Sequence, residues 1–177
     1  MREELIIAGF GGQGIMFTGT LLAQAAMIEN KFVTYFPSYG AEVRGGTANC
    51  SVIIADSAIG SPVITSPDSL LILNKPSLDR FKPRLKKGGL LVLNSSLIED
   101  EIKEHSGQVM RLPATDIAEQ IGQVKVANIV ALGKYLAIRK IVSQESVLQA
   151  LEALLTGKKK ELLGLNRKAL IAGYEYK

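Results

Sequence analysis

Residues 5–14 place a short apolar run directly before a cluster of glycines, and they read Leu5-Ile6-Ile7-Ala8-Gly9-Phe10-Gly11-Gly12-Gln13-Gly14. A continuously apolar run of this length is typical of a strand that is buried on both faces of a parallel sheet. The next segment, residues 18–28, is rich in Ala, Leu and Met and predicts a helix. Strand, glycine loop and helix in succession indicate a Rossmann-like arrangement.

The remainder of the sequence continues this alternation. A second strand is predicted over 32–36, where Pro37 stops it, and it completes a right-handed crossover unit with the first strand and helix. Further strands are predicted at 50–55, 58–64, 70–73, 90–93 and 108–112, and further helices near 78–85, 97–104, 115–121, 126–155 and 161–174. Gly157 is expected to close the helix before it. The pattern predicts an α/β three-layer sandwich with a mostly parallel sheet and a helical C-terminal end, in a single domain spanning residues 1–177.

The net charge is concentrated at one end of the sequence. The 177 residues contain 21 Lys and Arg against 17 Asp and Glu, which gives a formal net charge of +4. Residues 1–155 carry 15 basic and 15 acidic residues, so the excess lies in a basic helical tail over 155–177. A nucleic-acid-binding domain normally combines distributed basic residues with aromatics, whereas aromatics make up only 6% here and Trp is absent. We therefore expect no nucleic-acid partner and a tail that is solvated or docks a partner chain.

The scarcity of Cys and His restricts the chemistry that this chain can perform by itself. With one cysteine, Cys50, and one histidine, His105, the chain can assemble neither a disulfide nor a thiolate metal site nor an iron–sulfur cluster. No nucleophile, base and orienting group can be combined into a triad, and no catalytic or metal-binding residue is predicted. Any redox chemistry must then reside in a bound cofactor or in another chain.

The distribution of apolar residues bears on localisation. No stretch approaches the ~18 uninterrupted apolar residues that a membrane span needs. Residues 1–8 lack the longer apolar core of a signal peptide. A cytoplasmic location without membrane contact is expected.

The glycine loop has the spacing of a phosphate-binding turn. Gly9, Gly11 and Gly14 match G-x-G-x-x-G between a predicted strand and helix, where glycines allow close backbone approach and free amides attract phosphate. Classical NAD binding also needs an acidic residue at the end of the second strand, and residues 35–38 contain none. Gly14 is followed by Ile15 and not by the Lys-Ser/Thr pair of a nucleoside-triphosphate loop. A tight strand-to-helix turn needs glycine even without a ligand, so both interpretations stay open.

A second polar cluster follows the second strand, and residues 37–49 read Pro37-Ser38-Tyr39-Gly40-Ala41-Glu42-Val43-Arg44-Gly45-Gly46-Thr47-Ala48-Asn49. Open α/β sheets bind ligands at this edge, beyond the carboxyl ends of their strands. Arg44 offers a planar donor fork for a phosphate or carboxylate, and Thr47 offers a hydroxyl. Gly45 and Gly46 allow close backbone approach. The alternative is a loop held by an internal Glu42–Arg44 ion pair and buried by a neighbour.

Together the two clusters closely resemble the gamma subunit of 2-oxoacid:ferredoxin oxidoreductases. Three later stretches are also similar to that family: Gly60-Ser61-Pro62, Leu71-Ile72-Leu73-Asn74 and Asn128-Ile129-Val130-Ala131-Leu132-Gly133. The resemblance runs from about residue 5 to residue 155. Among family members, residues 39–49 look most like the 2-oxoglutarate type, with the branched-chain 2-oxoacid type next.

The resemblance implies a share in the coenzyme A-dependent oxidative decarboxylation of a 2-oxoacid, such as 2-oxoglutarate to succinyl-CoA, with ferredoxin as electron acceptor. It implies alpha, beta and ferredoxin-like delta partner subunits that hold thiamine diphosphate and the iron–sulfur clusters. The isolated chain is then expected to bind no cofactor by itself and to be inactive, with coenzyme A as co-substrate of the complex. By position, the residues implied to contact coenzyme A or a neighbouring subunit are Gly11, Gly12, Gln13, Gly14, Tyr39, Glu42, Arg44, Gly45, Gly46 and Thr47.

The residues themselves leave three hypotheses open. The glycine loop is not accompanied by the acidic side chain that would bind the ribose of NAD. It therefore fits a phosphorylated ligand other than NAD, such as coenzyme A, and Arg44 could form ion pairs with the phosphates of that ligand. A stand-alone nucleotide-binding regulatory module that senses NAD(H) or an adenine nucleotide is a second hypothesis. A purely structural subunit, whose loops only contact partner chains, is the third.

Overall fold

Strands and helices alternate in the computed structural model, which describes residues 1–39, 47–102 and 107–177. The strands are β1 (Arg2–Phe10), β2 (Phe32–Tyr39), β3 (Thr47–Ala55), β4 (Ser69–Ile72), β5 (Leu90–Asn94) and β6 (Gln108–Leu112). The helices are α1 (Ile15–Ile28), α2 (Lys75–Phe81), α3 (Ala114–Ile121), α4 (Ala127–Arg139), α5 (Gln144–Leu154) and α6 (Leu163–Glu175). Short 3₁₀ helices cover Lys82–Arg84, Val124–Val126 and Gly157–Leu162. None of the helices in these described ranges is long and apolar enough to cross a membrane.

The described strands form one six-stranded sheet with the order β2-β3-β1-β4-β5-β6. Strands β1, β4, β5 and β6 are parallel neighbours, whereas β3 runs antiparallel to both β1 and β2. All strands except β3 therefore point in one direction, which confirms the predicted mostly parallel α/β sheet. The predicted crossover from β1 through α1 does end on a parallel strand, β2, but β3 lies between the two.

Helices cover both faces of the sheet and complete the three layers. On one face, α1 and α3 to α6 bury the larger apolar cluster, which includes Leu5 and Ile7 of β1. On the other face, α2 and residues 59–64 and 98–102 bury Ile6 and Ala8 of the same strand. Successive side chains of a strand point to opposite faces, so β1 contributes to both cores. This is the physical reason for the uninterrupted apolar run at residues 5–8.

The segment 58–64 is not a strand, although its apolar residues predict one. It is an extended loop without a sheet partner, and Ile64 anchors it to the core on the α2 side. The Arg84 guanidinium donates hydrogen bonds to the carbonyls of Ile64 and Thr65. A side chain therefore satisfies the backbone acceptors that a neighbouring strand would otherwise bind.

The helix predicted at 97–104 is wrong over residues 97–102, and residues 103–104 lie outside the described part of the chain. The Arg111 guanidinium donates to the carbonyls of Ile98 and Asp100 at 2.6 and 2.7 Å. Charged donors hold these carbonyls toward β6, so they are not available for the i to i+4 hydrogen bonds of a helix. Ile98 is buried under the sheet and Ile102 packs against the same core, whereas Leu97 is exposed.

Strand β2 continues through Pro37 to Tyr39, although the proline was expected to stop it. Because β2 is an edge strand that pairs only with β3 among the described strands, one side of its backbone needs no ladder partner. Tyr39, Ala48 and Gly9 are in register across β2, β3 and β1. The end of β2 therefore lies at the same edge of the sheet as the glycine loop, as the sequence predicts.

The segment after residue 155 is part of the packed fold and not a solvated tail. Helix α5 ends three residues before Gly157, which instead begins a 3₁₀ helix, so the prediction that Gly157 closes α5 is wrong. Helix α6 is continuous through Gly164 and Gly173. It buries Ala169 and Leu170 in the larger core and crosses α4 closely. Gly173 permits that close crossing, because a Cβ there would overlap the backbone of Val130 in α4.

A carboxylate is buried at the amino-terminal end of β1. Glu3 has 7% of its surface exposed, and its Oε1 accepts hydrogen bonds from Ser69 Oγ at 2.5 Å and from Tyr135 Oη at 3.2 Å. Arg139 Nε lies 3.3 Å from the same oxygen. Burial nevertheless outweighs these partners and raises the pKa of Glu3 above its usual value of 4.5.

We expect Glu3→Gln to gain stability relative to the natural chain as the pH rises above 4.5. Because the folded state holds the Glu3 proton more tightly than the unfolded state does, ionising Glu3 costs folding free energy between the unfolded and the raised folded pKa. Glutamine does not titrate, so the difference in free energy of unfolding, variant minus natural chain, increases across that window and then levels off. Urea unfolding at a series of pH values measures this difference. A difference that stays constant with pH would contradict the prediction.

Candidate functional site

The glycine loop between β1 and α1 is fixed by the side chain of Gln13. Gln13 Oε1 accepts a hydrogen bond from the backbone amide of Phe10 at 2.6 Å. The backbone amide of Gln13 in turn donates to the Phe10 carbonyl at 3.1 Å. Gln13 Nε2 reaches the carbonyl of Leu73, just beyond β4, at 3.5 Å. These bonds hold the loop in one shape and connect the ends of two adjacent parallel strands.

Gly14 joins the loop to the start of α4. Its carbonyl accepts hydrogen bonds from the Thr18 amide at 2.9 Å, from Thr18 Oγ1 at 3.0 Å and from Asn128 Nδ2 at 3.1 Å. Asn128 Nδ2 also donates to Thr18 Oγ1 at 2.9 Å. Gly14 lies in the left-handed region, with φ of 73°, and a Cβ there would overlap the Asn128 amide. Glycine is therefore required for this contact, with or without a ligand.

Asn128 has an acceptor that is left without a partner. The residue is 3% exposed, and both of its amide hydrogen bonds are used within the Gly14–Thr18 network. Its Oδ1 is buried and accepts no hydrogen bond from the described residues. A reversed amide would place the oxygen against the Gly14 carbonyl, so the hydrogen bonds fix which atom is the oxygen. Unpaired buried polar atoms are uncommon in folded proteins, and Thr34 Oγ1, Asn74 Nδ2 and Ser77 Oγ are further ones among the described residues.

The helix starts near Asn128 favour anions. Helices α1 and α4 both begin here, and neither carries an acidic residue in its first turn or a side-chain cap. The backbone amides of Ile15, Met16 and Phe17 have no carbonyl acceptor within α1, because they belong to its first turn. Helix starts carry a partial positive charge, which attracts phosphate and carboxylate groups.

A crevice of about 250 Å³ opens at the carboxyl ends of β1, β4, β5 and β6. Polar and cationic groups that line it include Gln13, Asn94, Thr115 and Lys125. Asn94 and Thr115 hold each other through two hydrogen bonds, of 2.9 and 3.3 Å. The connections after β1 and β4 lead in opposite directions along the sheet, so the crevice lies at the topological switch point where such sheets bind ligands.

A second cavity, of about 380 Å³, lies between the loop, the start of α4 and the connection from α5 to α6. Gly12, Lys125 and Asn128 line both cavities. The two spaces thus meet at the glycine loop, one facing the end of the sheet and one facing the C-terminal helices.

The residues predicted from sequence separate into groups in the structure. Gly12, Gln13 and Gly14 lie at the two cavities, and Gly11 lies exposed in the same loop. Tyr39 is 73% exposed at the end of β2, and it lines neither cavity.

Thr47 is the other described residue among the site residues predicted from the second cluster, and it faces α2. Its Oγ1 accepts a hydrogen bond from Arg80 at 3.4 Å, and it lines neither cavity. The predicted residues Glu42, Arg44, Gly45 and Gly46 lie outside the described residues. Their role in ligand or subunit contact stays a prediction.

Cys50 is a core residue. It lies buried under α1, where its thiol donates to the carbonyl of Ile15 over 3.6 Å. Burial raises the pKa of Cys50 to about 12, so the thiol stays protonated and unreactive at neutral pH.

Four residues of the site escape the sequence prediction: Asn94, Thr115, Lys125 and Asn128. For two of them a signal exists, because Asn94 directly follows a predicted strand and Thr115 comes three residues after another, at the edge where ligands bind. Asn128 opens one of the stretches that resemble the gamma family, but its spacing carries no chemistry by itself. Nothing in the sequence marks Lys125, which reaches the site through the 3₁₀ helix before α4.

A family comparison covers almost the whole chain. The sequence model of the family described as pyruvate ferredoxin/flavodoxin oxidoreductase matches residues 4–176. The match includes the segment after residue 155, so the predicted end of the resemblance near that residue is wrong.

Known relatives and a solved structure agree with this match. The ketoisovalerate oxidoreductase subunit VorA of Methanothermobacter thermautotrophicus is 38% identical over 171 residues, which cover 96% of this chain but 35% of the relative, about a third of its length. The 2-oxoglutarate synthase subunit KorC of Methanocaldococcus jannaschii is 38% identical over 154 residues, 85% of this chain and 82% of the relative. A keto/oxoacid ferredoxin oxidoreductase gamma subunit from Geobacter sulfurreducens superposes with a TM-score of 0.84 at 32% identity, covering 98% of this chain and 96% of that one.

Proposed function

This chain belongs to the pyruvate ferredoxin/flavodoxin oxidoreductase family, and from that membership we propose that it is the gamma subunit of a multi-subunit 2-oxoacid:ferredoxin oxidoreductase. The observation that carries the proposal is the family match over residues 4–176. The gamma-subunit structure from Geobacter sulfurreducens, which matches nearly end to end, supports the choice of subunit.

In this proposal the complex converts a 2-oxoacid and coenzyme A to an acyl-CoA and carbon dioxide, and ferredoxin accepts the electrons. Thiamine diphosphate, which stabilises the carbanion formed on decarboxylation, and the iron–sulfur clusters are assigned to the alpha, beta and ferredoxin-like delta partners. Cys50 supports that assignment, because a buried thiol of raised pKa does not offer the thiolate that a cluster needs. The cytoplasmic location expected from the sequence is part of the proposal.

The contribution of this chain is to bind coenzyme A beside the active site of its partners. The crevice at the switch point supports this role, because it joins Gly12 and Gln13 of the glycine loop to Lys125. No described Asp or Glu lines either cavity, so no carboxylate there would repel phosphates. The site holds substrate and performs no proton or electron transfer itself.

The partner chains are expected to cover the exposed side of β2. Phe32 and Phe36 are each about half exposed on the face of this edge strand opposite to Val33 and Tyr35, which pack against the larger core, and Tyr39 is exposed at its end. Exposed aromatic side chains are enriched at protein interfaces. Residues 40–46 follow directly, which is consistent with a predicted loop that meets a neighbouring subunit.

For the 2-oxoacid we propose 2-oxoglutarate, which yields succinyl-CoA. The resemblance of residues 39–49 to the 2-oxoglutarate type supports it, as does the identity to KorC over most of both chains. VorA, named for ketoisovalerate, is equally identical, so a branched-chain 2-oxoacid is the second candidate substrate.

An NAD-sensing module is less well supported by the sheet order. In a dinucleotide-binding sheet the strand beside β1 is parallel and carries the ribose carboxylate at its end. Here β3 occupies that position in the antiparallel direction, and it presents Thr47 and Ala48 beside the glycine loop. No described carboxylate therefore stands where the ribose hydroxyls of NAD would lie.

Reconstitution with the partner chains tests the proposed function. We expect this chain alone to be inactive, and the complex to form acyl-CoA only when the chain is present. We further expect 2-oxoglutarate to have a higher kcat/KM than pyruvate or 2-oxoisovalerate. Acyl-CoA formation by the partners without this chain would contradict the proposal, whereas a preference for 2-oxoisovalerate would overturn only the choice of substrate.

A further inference from the structure

Exposed cations are concentrated on the C-terminal helical segment. Residues 156–174 contain five basic residues against one acidic residue, Glu161. The 3₁₀ helix before α6 runs into α6 without a break, so these residues share one helical segment. Four of the basic side chains are exposed and form what we name the basic surface: Lys158, Lys160, Arg167 and Lys168. The fifth, Lys159, lines the cavity beside the glycine loop and is not included.

The cations of the basic surface are not neutralised within the chain. None of the four side chains makes a hydrogen bond or an ion pair with the parts of the chain that the structure describes. Elsewhere in the fold, Arg2 pairs with Glu4 at 2.9 Å and Lys86 pairs with Asp68 at 2.8 Å. The field of the basic surface therefore extends into solvent over about 8 Å at physiological ionic strength.

The basic surface is too extended and too open to enclose a small anion. From Lys158 to Lys168 the helical segment advances by roughly 17 Å, at about 2.0 Å per residue in the 3₁₀ helix and about 1.5 Å per residue in α6. None of its four side chains lines either cavity of the candidate site. These dimensions favour the surface of another protein, and its charge requires carboxylates on that partner.

The composition of the basic surface suits a transient contact. Permanent subunit interfaces are depleted of Lys and enriched in aromatic side chains, as on the exposed side of β2. Among the large exposed apolar side chains of the described chain, Leu162 alone falls within residues 156–174. Complexes of electron-transfer proteins are weak and bury small interfaces, and opposite charges bring such partners together.

We propose that the basic surface docks an acidic electron-carrier protein, the ferredoxin that accepts the electrons of the reaction. The identity of the carrier rests on the proposed function, in which ferredoxin must reach the complex by diffusion in every turnover. Opposite charges on the two surfaces raise the rate of encounter and orient the carrier. The electrons leave from the iron–sulfur clusters assigned to the partner subunits, so this chain positions the carrier and transfers no electron itself.

Kinetics of the assembled enzyme test this docking surface. We expect Lys160→Gln/Lys168→Gln to lower kcat/KM for the host's ferredoxin about fivefold at low ionic strength, through a higher KM, because two attracting charges are lost. At about 0.5 M salt the screening length falls to about 4 Å, so the difference should shrink to less than about twofold. A drop in kcat/KM that does not respond to salt would overturn the inference.

Lys82→Gln/Lys87→Gln is the matched control. It removes the same charge from two lysines after α2 whose side chains are also unpaired among the described residues. These lysines lie outside the basic surface, so kcat/KM for ferredoxin should change less than about 1.5-fold. Equal effects of the two double variants would show that only net charge matters, and would overturn the docking surface.

Carbodiimide cross-linking locates the contact directly. The reagent joins a lysine amine to a carboxylate of the carrier as an amide, with loss of water, only where the two groups touch. We expect cross-linked peptides between ferredoxin and the lysines of the basic surface, and none at Lys82 or Lys87. Ferredoxin whose carboxylates have first been converted to amides should give no cross-link. Cross-links confined to other subunits would overturn the inference.

A small acceptor separates this inference from the proposed function. Coenzyme A-dependent reduction of benzyl viologen needs no protein docking, so it should be equal in the natural complex and in the Lys160→Gln/Lys168→Gln complex. Normal viologen reduction with an unchanged KM for ferredoxin would overturn the docking surface and leave the proposed function intact. A raised KM for coenzyme A in place of that for ferredoxin would also overturn it. A natural complex that reduces neither acceptor would overturn the proposed function, and the cross-links would still decide whether the basic surface binds the carrier.

Discussion

Gly173→Ala is expected to lower the free energy of unfolding by about 3 kcal/mol or more. A Cβ at Gly173 would overlap the carbonyl oxygen of Val130 and lie 3.0 Å from its Cα, so the methyl group meets backbone and not a movable side chain. The contact is reciprocal, because a Cβ at Gly133 of α4 would overlap the carbonyl of Leu170 in α6. Relief requires the two helices to separate, and that would expose the apolar cluster beneath them. Urea denaturation followed by circular dichroism measures the loss.

Gly164→Ala is the matched control in the same helix. A Cβ at Gly164 would meet no atom within 4 Å, and its φ is not in the left-handed region. Alanine there should raise the stability by about 0.5 kcal/mol through its higher helix propensity. The two substitutions are therefore expected to have opposite signs. Equal effects of Gly164→Ala and Gly173→Ala would contradict the close crossing of α4 and α6.

Gly14→Ala is expected to lower the free energy of unfolding by about 2 kcal/mol and to weaken ligand binding at the loop. A residue with a Cβ pays about 1–2 kcal/mol in the left-handed region, where Gly14 has a φ of 73°. The added methyl would also lie 3.0 Å from Asn128 Cγ and overlap the Asn128 amide nitrogen. Asn128 would then lose its hydrogen bonds to Gly14 and Thr18, which fix the direction of its free oxygen.

A double-mutant cycle with Asn128→Ala separates backbone strain from the steric overlap. Asn128→Ala removes the side chain that the new methyl would strike, so Gly14→Ala should cost about 1 kcal/mol less in that background. Urea denaturation of the four proteins gives the coupling free energy. Additive effects would show that Gly14 and Asn128 do not constrain each other as the hydrogen bonds indicate.

The opening unit of the fold was predictable because its signals are local. An apolar run, adjacent glycines and a helix-forming segment lie within residues 5–28, and each reflects a short-range preference of the backbone. The insertion of β3 between β1 and β2 was not predictable in this way. It depends on the pairing of β3 (Thr47–Ala55) with both β1 and β2. Residue propensities describe local conformation and do not say which distant strands pair.

The two wrong elements share one physical cause. At 58–64 and 97–102, Ile64 and Ile98 are core residues, but Arg84 and Arg111 bind backbone carbonyls that a neighbouring strand or a helical turn would otherwise use. An arginine that serves as backbone partner cannot be distinguished by sequence from one on a solvated surface. The hydrophobic pattern thus indicated the burial of Ile64 and Ile98 correctly and the secondary structure incorrectly, whereas Val63 and Leu97 are exposed.

The candidate site was predictable on one side only. The spacing of its glycines identifies the glycine loop in the sequence. Asn128, in contrast, donates a hydrogen bond to Gly14 from 114 residues further along the chain. Lys159 belongs to a basic run that composition suggests is a tail, and only the packing of α6 brings it to the cavity. Tertiary contacts create such sites, so the sequence indicated the loop but not the residues that face it.

The gamma-subunit assignment is tested by purifying the native complex through an affinity tag on this chain. The captured material is assayed for ferredoxin reduction that depends on both a 2-oxoacid and coenzyme A, and for thiamine diphosphate and iron. We expect a thiamine-binding pair and a cysteine-rich ferredoxin-like chain to co-purify, with turnover that requires coenzyme A. A chain recovered alone, free of thiamine diphosphate and iron and without such turnover, would contradict the assignment.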